Sequence, residues 1–123
     1  MNVEDLRAYC INKPGVTESF PFDEHTLVFK VMNKMFAIVG LERQPLFVNL
    51  KCDPDYAIEL RELYDDIIFP GYHMNKKLWN SVYLEKELSL DMYLSLIDHS
   101  YELIVKSLPK KKKEELAILK DEA

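Results

Sequence analysis

The run Pro70-Gly71-Tyr72-His73-Met74-Asn75-Lys76-Lys77-Leu78-Trp79-Asn80 gathers cations, amides and flat rings beside a turn. Lysine neutralises phosphate, an asparagine amide can pair with a base edge, and aromatic rings stack on bases. The mixture suits a nucleic-acid contact. It equally suits an ordinary solvated turn, with Lys76 and Lys77 in water and Trp79 in a core.

Other combinations of reactive side chains are poorer. His25, His73 and His99 share no metal-ligand spacing, and neither cysteine is near them in sequence. Asp98, His99 and Ser100 are consecutive, but helix neighbours point in different directions and cannot form a triad. Three glycines in the whole chain leave no phosphate-cradling loop. Residues 53–66 hold six acids against Arg61 alone, which reads as a solvated helix face rather than a metal site. The sequence therefore predicts no catalytic centre, no bound metal and no cofactor.

Charge limits the binding reading. The net charge of −5 argues against a general nucleic-acid coat, so a basic face has to be local. Lys106 and Lys110 to Lys113 offset the acids of residues 53–66. Cys10 and Cys52 are expected to be buried free thiols, since two separated cysteines make no disulfide scaffold. No apolar run approaches the roughly 20 residues that cross a bilayer. The acidic N-terminus lacks the order of a signal peptide, so no membrane association and a cytoplasmic location are expected.

The elements that must position these residues follow from periodicity. Asn2 caps a first helix with Val3, Leu6, Tyr9 and Cys10 on one stripe, ended by Pro14-Gly15. Thr17 to Phe22 reads as a short edge strand. Leu27–Val31 and Met35–Leu41 read as a hairpin turning at Asn33-Lys34. In Leu46–Lys51, Leu46, Val48 and Leu50 share the core face, leaving Asn49 and Lys51 on the other. Asp53-Pro54 starts a second helix, Ile67–Phe69 and Leu78–Leu84 are strands, and Ser89 caps a last helix that ends before Pro109. The order α-β-β-β-(β)-α-β-β-α predicts an α+β domain, with an antiparallel sheet of five to six strands and helices packed on it. One domain spans residues 1–109, and 110–123 form a charged tail expected to fray.

Several stretches resemble the MmcQ/YjbR family. They include Pro14–Glu18, Phe20-Pro21-Phe22, Leu27–Val31, Lys34–Ala37, Asn49–Pro54, Pro70–Lys77, Trp79-Asn80, Asp98–Tyr101 and Leu108–Lys111. The likeness covers nearly the whole chain, and the Pro-Gly-Tyr-His-Met-Asn-Lys-Lys run is specific. Phe69 departs from the pattern, standing between the isoleucines and Pro70. The resemblance implies a frataxin-like or secretion-chaperone-like fold, and a DNA-binding role argued from a double-wing architecture.

Taken with the strand faces, this defines a candidate nucleic-acid surface of Asn49, Lys51, Tyr72, His73, Asn75, Lys76, Lys77, Trp79 and Asn80. The alternative is a protein-interaction or chaperone-like module using a sheet edge or the last helix. Met92, Leu96 and Leu103 form an extra apolar strip on that helix, which also reads as wider burial.

Overall fold

A computed structural model describes residues 1–122. Asn2 opens helix α1 (Val3–Ile11): its side chain accepts from Asp5 N, and Asp5 accepts in return from Asn2 N. The reciprocal pair satisfies two otherwise free donors. Strands β1 (Val16–Ser19), β2 (Thr26–Val31), β3 (Lys34–Gly40) and β4 (Phe47–Lys51) follow. Helix α2 (Pro54–Leu63) comes next, capped by Asp53, whose carboxylate accepts from Tyr56 N. Strands β5 (Ile68–Pro70) and β6 (Trp79–Tyr83) precede helix α3 (Leu90–Ser107), capped by Ser89. Helix α4 (Lys110–Glu122) closes the described chain.

The strands form one antiparallel sheet in the order β1-β2-β3-β4-β6-β5. The expected α+β class and strand count hold, and the optional fourth strand of the first block is β4. Within the hairpin, Met32 and Asn33 carry the positive φ values of 48° and 71°. The turn thus lies one residue earlier than Asn33-Lys34, because a two-residue turn of this hand needs both central residues left-handed. The first strand ends at Ser19, short of Pro21.

All helices lie on one side of the sheet. Leu6, Cys10, Ala57, Leu60, Tyr93, Ile97, Tyr101 and Leu116 from the four helices join Phe29, Val39, Val48, Leu50 and Val82 in one buried cluster. Leu46 packs at its edge. A β-bulge at Phe36-Ala37 turns both residues toward this core. Met92 and Leu96 also join it, so the apolar strip on α3 is largely absorbed by packing. Cys10 and Cys52 are buried free thiols, and burial pushes each up to about 12.

The segment expected to fray is instead the helix α4. Its Leu116 is 1% exposed and meets the turn at Gly15, where an added Cβ would come within 2.7 Å of Leu116 Cδ1. Four lysines made the segment read as solvated, but a single buried leucine docks it.

Among the described residues the opposite sheet face carries no helix. It holds a smaller cluster of Val28, Ile38 and Trp79, with Met35, Met74 and Leu78 against it. The segment before β2 and the 71–78 connection border a groove on this face.

Candidate functional site

The 71–78 connection is held from both sides. On its inner side, Tyr72 N donates to Ser81 Oγ (3.0 Å), the Ser81 hydroxyl donates to Asn49 Oδ1, and Asn49 Nδ2 donates to Tyr72 O (3.1 Å). The ring of bonds ties the polar side chains that β4 and β6 present beneath the loop to its backbone. On its outer side, Arg61 of α2 donates to Asn80 Oδ1 (2.7 Å) and to the carbonyl of Lys76. Gly71 sits so close to β6 that an added Cβ would lie 2.8 Å from Trp79 Cβ. His73 adopts a left-handed φ of 59°. Asn75 Oδ1 accepts from Lys77 N (3.0 Å), and Lys76 Nζ donates to Gly71 O (3.0 Å).

These bonds divide the sequence-predicted residues into two sets. Trp79 and Asn80 are buried, so neither offers a contact surface. Trp79 fills the small cluster, and Asn80 faces α2, donating to Ala57 O (3.3 Å). Asn49 does lie off the Leu46/Val48/Leu50 face, yet it is buried by the loop it anchors. Lys51 is half-buried on the helix-free face, while Tyr72, His73, Asn75, Lys76 and Lys77 are exposed. A polar, aromatic run does not reveal which of its members the loop will close over.

Asn49, Tyr72 and His73 come together in a groove of about 410 Å³. Strand order places Thr26, Ile38 and Gly40 across its floor. The Phe22-Asp23 segment forms one wall and Tyr72–Met74 the other. Met35 and Phe47 extend the apolar lining. Phe22 is 65% exposed. Its segment is fixed by Asp23, which accepts from His25 N (2.8 Å), Thr26 N (2.7 Å) and Thr26 Oγ1 (3.1 Å). The His25 and Thr26 N–H groups hold the Asp23 carboxyl below the usual range.

Arg43, from the β3–β4 connection, also lines the groove. Its guanidinium lies 4.5 Å from the centre of the Tyr72 ring. Gly40 permits this, because a Cβ there would come 3.0 Å from Arg43 Cγ. Sequence reasoning missed Arg43 and Phe22 as site residues. The Phe20-Pro21-Phe22 stretch was a visible signal, but an arginine in an aperiodic loop gives none.

The Asp98–Tyr101 run lies on the helix side, and each member serves a different element. Asp98 accepts from Tyr9 Oη (2.7 Å) and pairs with Lys13. His99 Nε2 accepts from Asp53 N (3.1 Å), and burial lowers its pKa. Ser100 Oγ donates to Phe36 O (2.6 Å) and accepts from Lys51 N (2.9 Å). Tyr101 Oη donates to Pro14 O (2.6 Å). Among the described residues no helix is long and apolar enough to cross a membrane.

Comparison with known proteins agrees with this architecture. The YjbR family model matches residues 11–103. The uncharacterized protein YjbR of Escherichia coli strain K12 is 36% identical, over 97% of this chain and 100% of its own. The uncharacterized protein YyaQ of Bacillus subtilis strain 168 is 30% identical, over 81% of this chain and 95% of its own. The crystal structure of Deinococcus radiodurans protein DR2400 superposes with a TM-score of 0.88 at 39% identity, covering 94% of this chain and 88% of that one.

Proposed function

This chain belongs to the YjbR family, and we propose that it is a non-enzymatic nucleic-acid-binding domain whose contact surface is the helix-free sheet face. One observation carries the reading: cations from separate segments share that face in a chain of net charge −5. Lys30 and Lys51 project from β2 and β4 on the side of Met35 and Trp79, their pairing partners. Arg43 of the β3–β4 connection lines the groove on that face, and the exposed Lys76 and Lys77 stand on the 71–78 connection. The acid in the groove wall, Asp23, has both oxygens occupied by its own turn. Local basic charge of this kind neutralises phosphates while the remainder of an acidic protein repels them. Two buried free thiols fit the reducing cytoplasm as its setting.

The test is a titration of a labelled duplex against salt. Binding should be weak, with a dissociation constant of roughly 10⁻⁴ to 10⁻⁶ M at physiological salt. Replacing Arg43 and Lys77 together with Gln should reduce the log–log salt slope by about 2. Lys76 is spared because it also holds Gly71 O. Lys110 to Lys113→Gln is the control, and it should leave the slope nearly unchanged. Loss of binding in the α4 variant alone, or no binding to any nucleic acid at low salt, would reject the proposal.

A further inference from the structure

We infer that the groove takes an unpaired base, which makes single-stranded nucleic acid the preferred ligand; the inference rests on the nucleic-acid reading above. Phosphate contacts alone would not need the groove. Its floor and walls are lined by the half-buried Met35, Phe47 and Met74 beside Arg43, with Ile38 buried beneath, an apolar lining suited to the flat face of a base. A volume of about 410 Å³ lies within the roughly 300–1,000 Å³ of small-molecule sites. A base held in a duplex keeps its faces stacked on its neighbours and cannot offer them.

The two walls are prepared for stacking. Phe22 holds its ring in water, on a segment already fixed by the bonds to Asp23. Tyr72 is fixed through its backbone by Ser81 and Asn49, with Arg43 against its ring. Aromatic rings of this kind carry single strands with little regard to sequence. Asn49 adds an edge contact. Its bonds to Tyr72 and Ser81 leave one amide N–H and one carbonyl lone pair uncommitted among the described residues, and the residue lines the groove. An asparagine amide with a free donor and acceptor pairs with adenine through the N6 and N7 positions.

The experiment measures fluorescence anisotropy of labelled oligo-dA, oligo-dT and a duplex of equal length. The proteins are wild type, Phe22→Ala, Phe22→Tyr and Lys77→Gln. Wild type should prefer the single strands, with oligo-dA ahead of oligo-dT. Phe22→Ala should weaken single-strand binding about 5- to 150-fold, the range for loss of one stacked base, while duplex binding holds. Phe22→Tyr should restore it. Lys77→Gln should weaken single strand and duplex together. Because the Phe22 side chain is mostly in water, folding is not at issue in its variants.

Equal or tighter duplex binding by wild type overturns the inference, as does a Phe22→Ala effect that is absent or the same on both ligands. If no oligonucleotide binds, the nucleic-acid reading falls with it. If oligonucleotides bind but Phe22 is silent, only the inference falls. Self-association without oligonucleotide that Phe22→Ala abolishes, seen by analytical ultracentrifugation, would make the groove a contact between copies and also overturn it.

Discussion

Arg61 should be the residue on which the shape of the candidate surface depends, although it stands on the far side of the loop. Its guanidinium donates to Asn80 Oδ1 at 2.7 Å, to the Lys76 carbonyl, and more distantly to Trp79 O at 3.5 Å. Asn80 is 2% exposed, so Arg61→Ala removes the partner of a buried amide oxygen. An unsatisfied buried acceptor costs about 1–3 kcal/mol, and a lost charged hydrogen bond to a carbonyl at the surface adds a smaller amount. The sum is about 2–4 kcal/mol of stability. Arg61→Lys keeps the charge but offers a point donor rather than a fork, so it should fall between wild type and alanine. Urea melts give the energy. Hydrogen exchange gives the location, through Gly71 N, bonded to Trp79 O at 2.9 Å, and Trp79 N, bonded to Asn75 O at 3.0 Å. Both amides should lose protection in Arg61→Ala. A loss below about 0.5 kcal/mol with both amides still protected would show the loop to be self-supporting and the reasoning wrong.

Stability should also depend on His99 near neutral pH. Its Nε2 accepts from Asp53 N, and burial lowers its pKa, against the pull of Asp53 and together with the push of Lys106. The folded protein then binds fewer protons than the unfolded chain, so this contribution is present above the ordinary histidine value and is lost as pH falls through the lowered one. Between about pH 7 and pH 5, wild type should lose more stability than His99→Gln, and equal slopes in urea melts would reject the assignment. Leu116→Ala should cost about 2–4 kcal/mol, as expected for a buried leucine; no loss in the same melts would mean that α4 is not docked.

Much of the fold could be read because alternation and caps are local signals. The split of residues 46–51 into Leu46/Val48/Leu50 and Asn49/Lys51 is a period-two pattern, and Asn2, Asp53 and Ser89 announce three helices by their own side chains. What escaped has no such periodicity. Met32 is an unexpected residue at positive φ, which displaced the turn by one position. Leu116 is one apolar contact within a strongly charged helix. The site shows the same division. Asn49 was legible from the alternation of its strand, and Tyr72 and His73 as polar or aromatic residues next to a turn. Phe22 and Arg43 join them only because the sheet order places the entry to β2 and the β3–β4 connection around one groove.

The two sheet faces use their polar groups differently. On the helix side, Asp98 is committed to Tyr9 and Lys13, His99 to the α2 cap, Ser100 to the end of the β3–β4 ladder, and Tyr101 to the Pro14 carbonyl. Ser100 stands between Phe36 O and Lys51 N, where the pairing of Ala37 with Leu50 would otherwise continue. Its hydroxyl and the imidazole of His99 thus act on different partners and form no nucleophile–base pair, for all that they are adjacent in sequence. One run ties α1, α2, the sheet and the first turn to α3. On the other face the bonds of Asn49, Ser81 and Asp23 shape a loop and a segment, but they leave cations, exposed rings and part of an amide unclaimed. A side chain whose donors and acceptors are all committed to the framework can position others but has nothing left to offer a ligand. Uncommitted cations and exposed rings therefore collect on the face without helices, and the residues that shape it include Ser81 and Arg61, which hold the loop from its two sides.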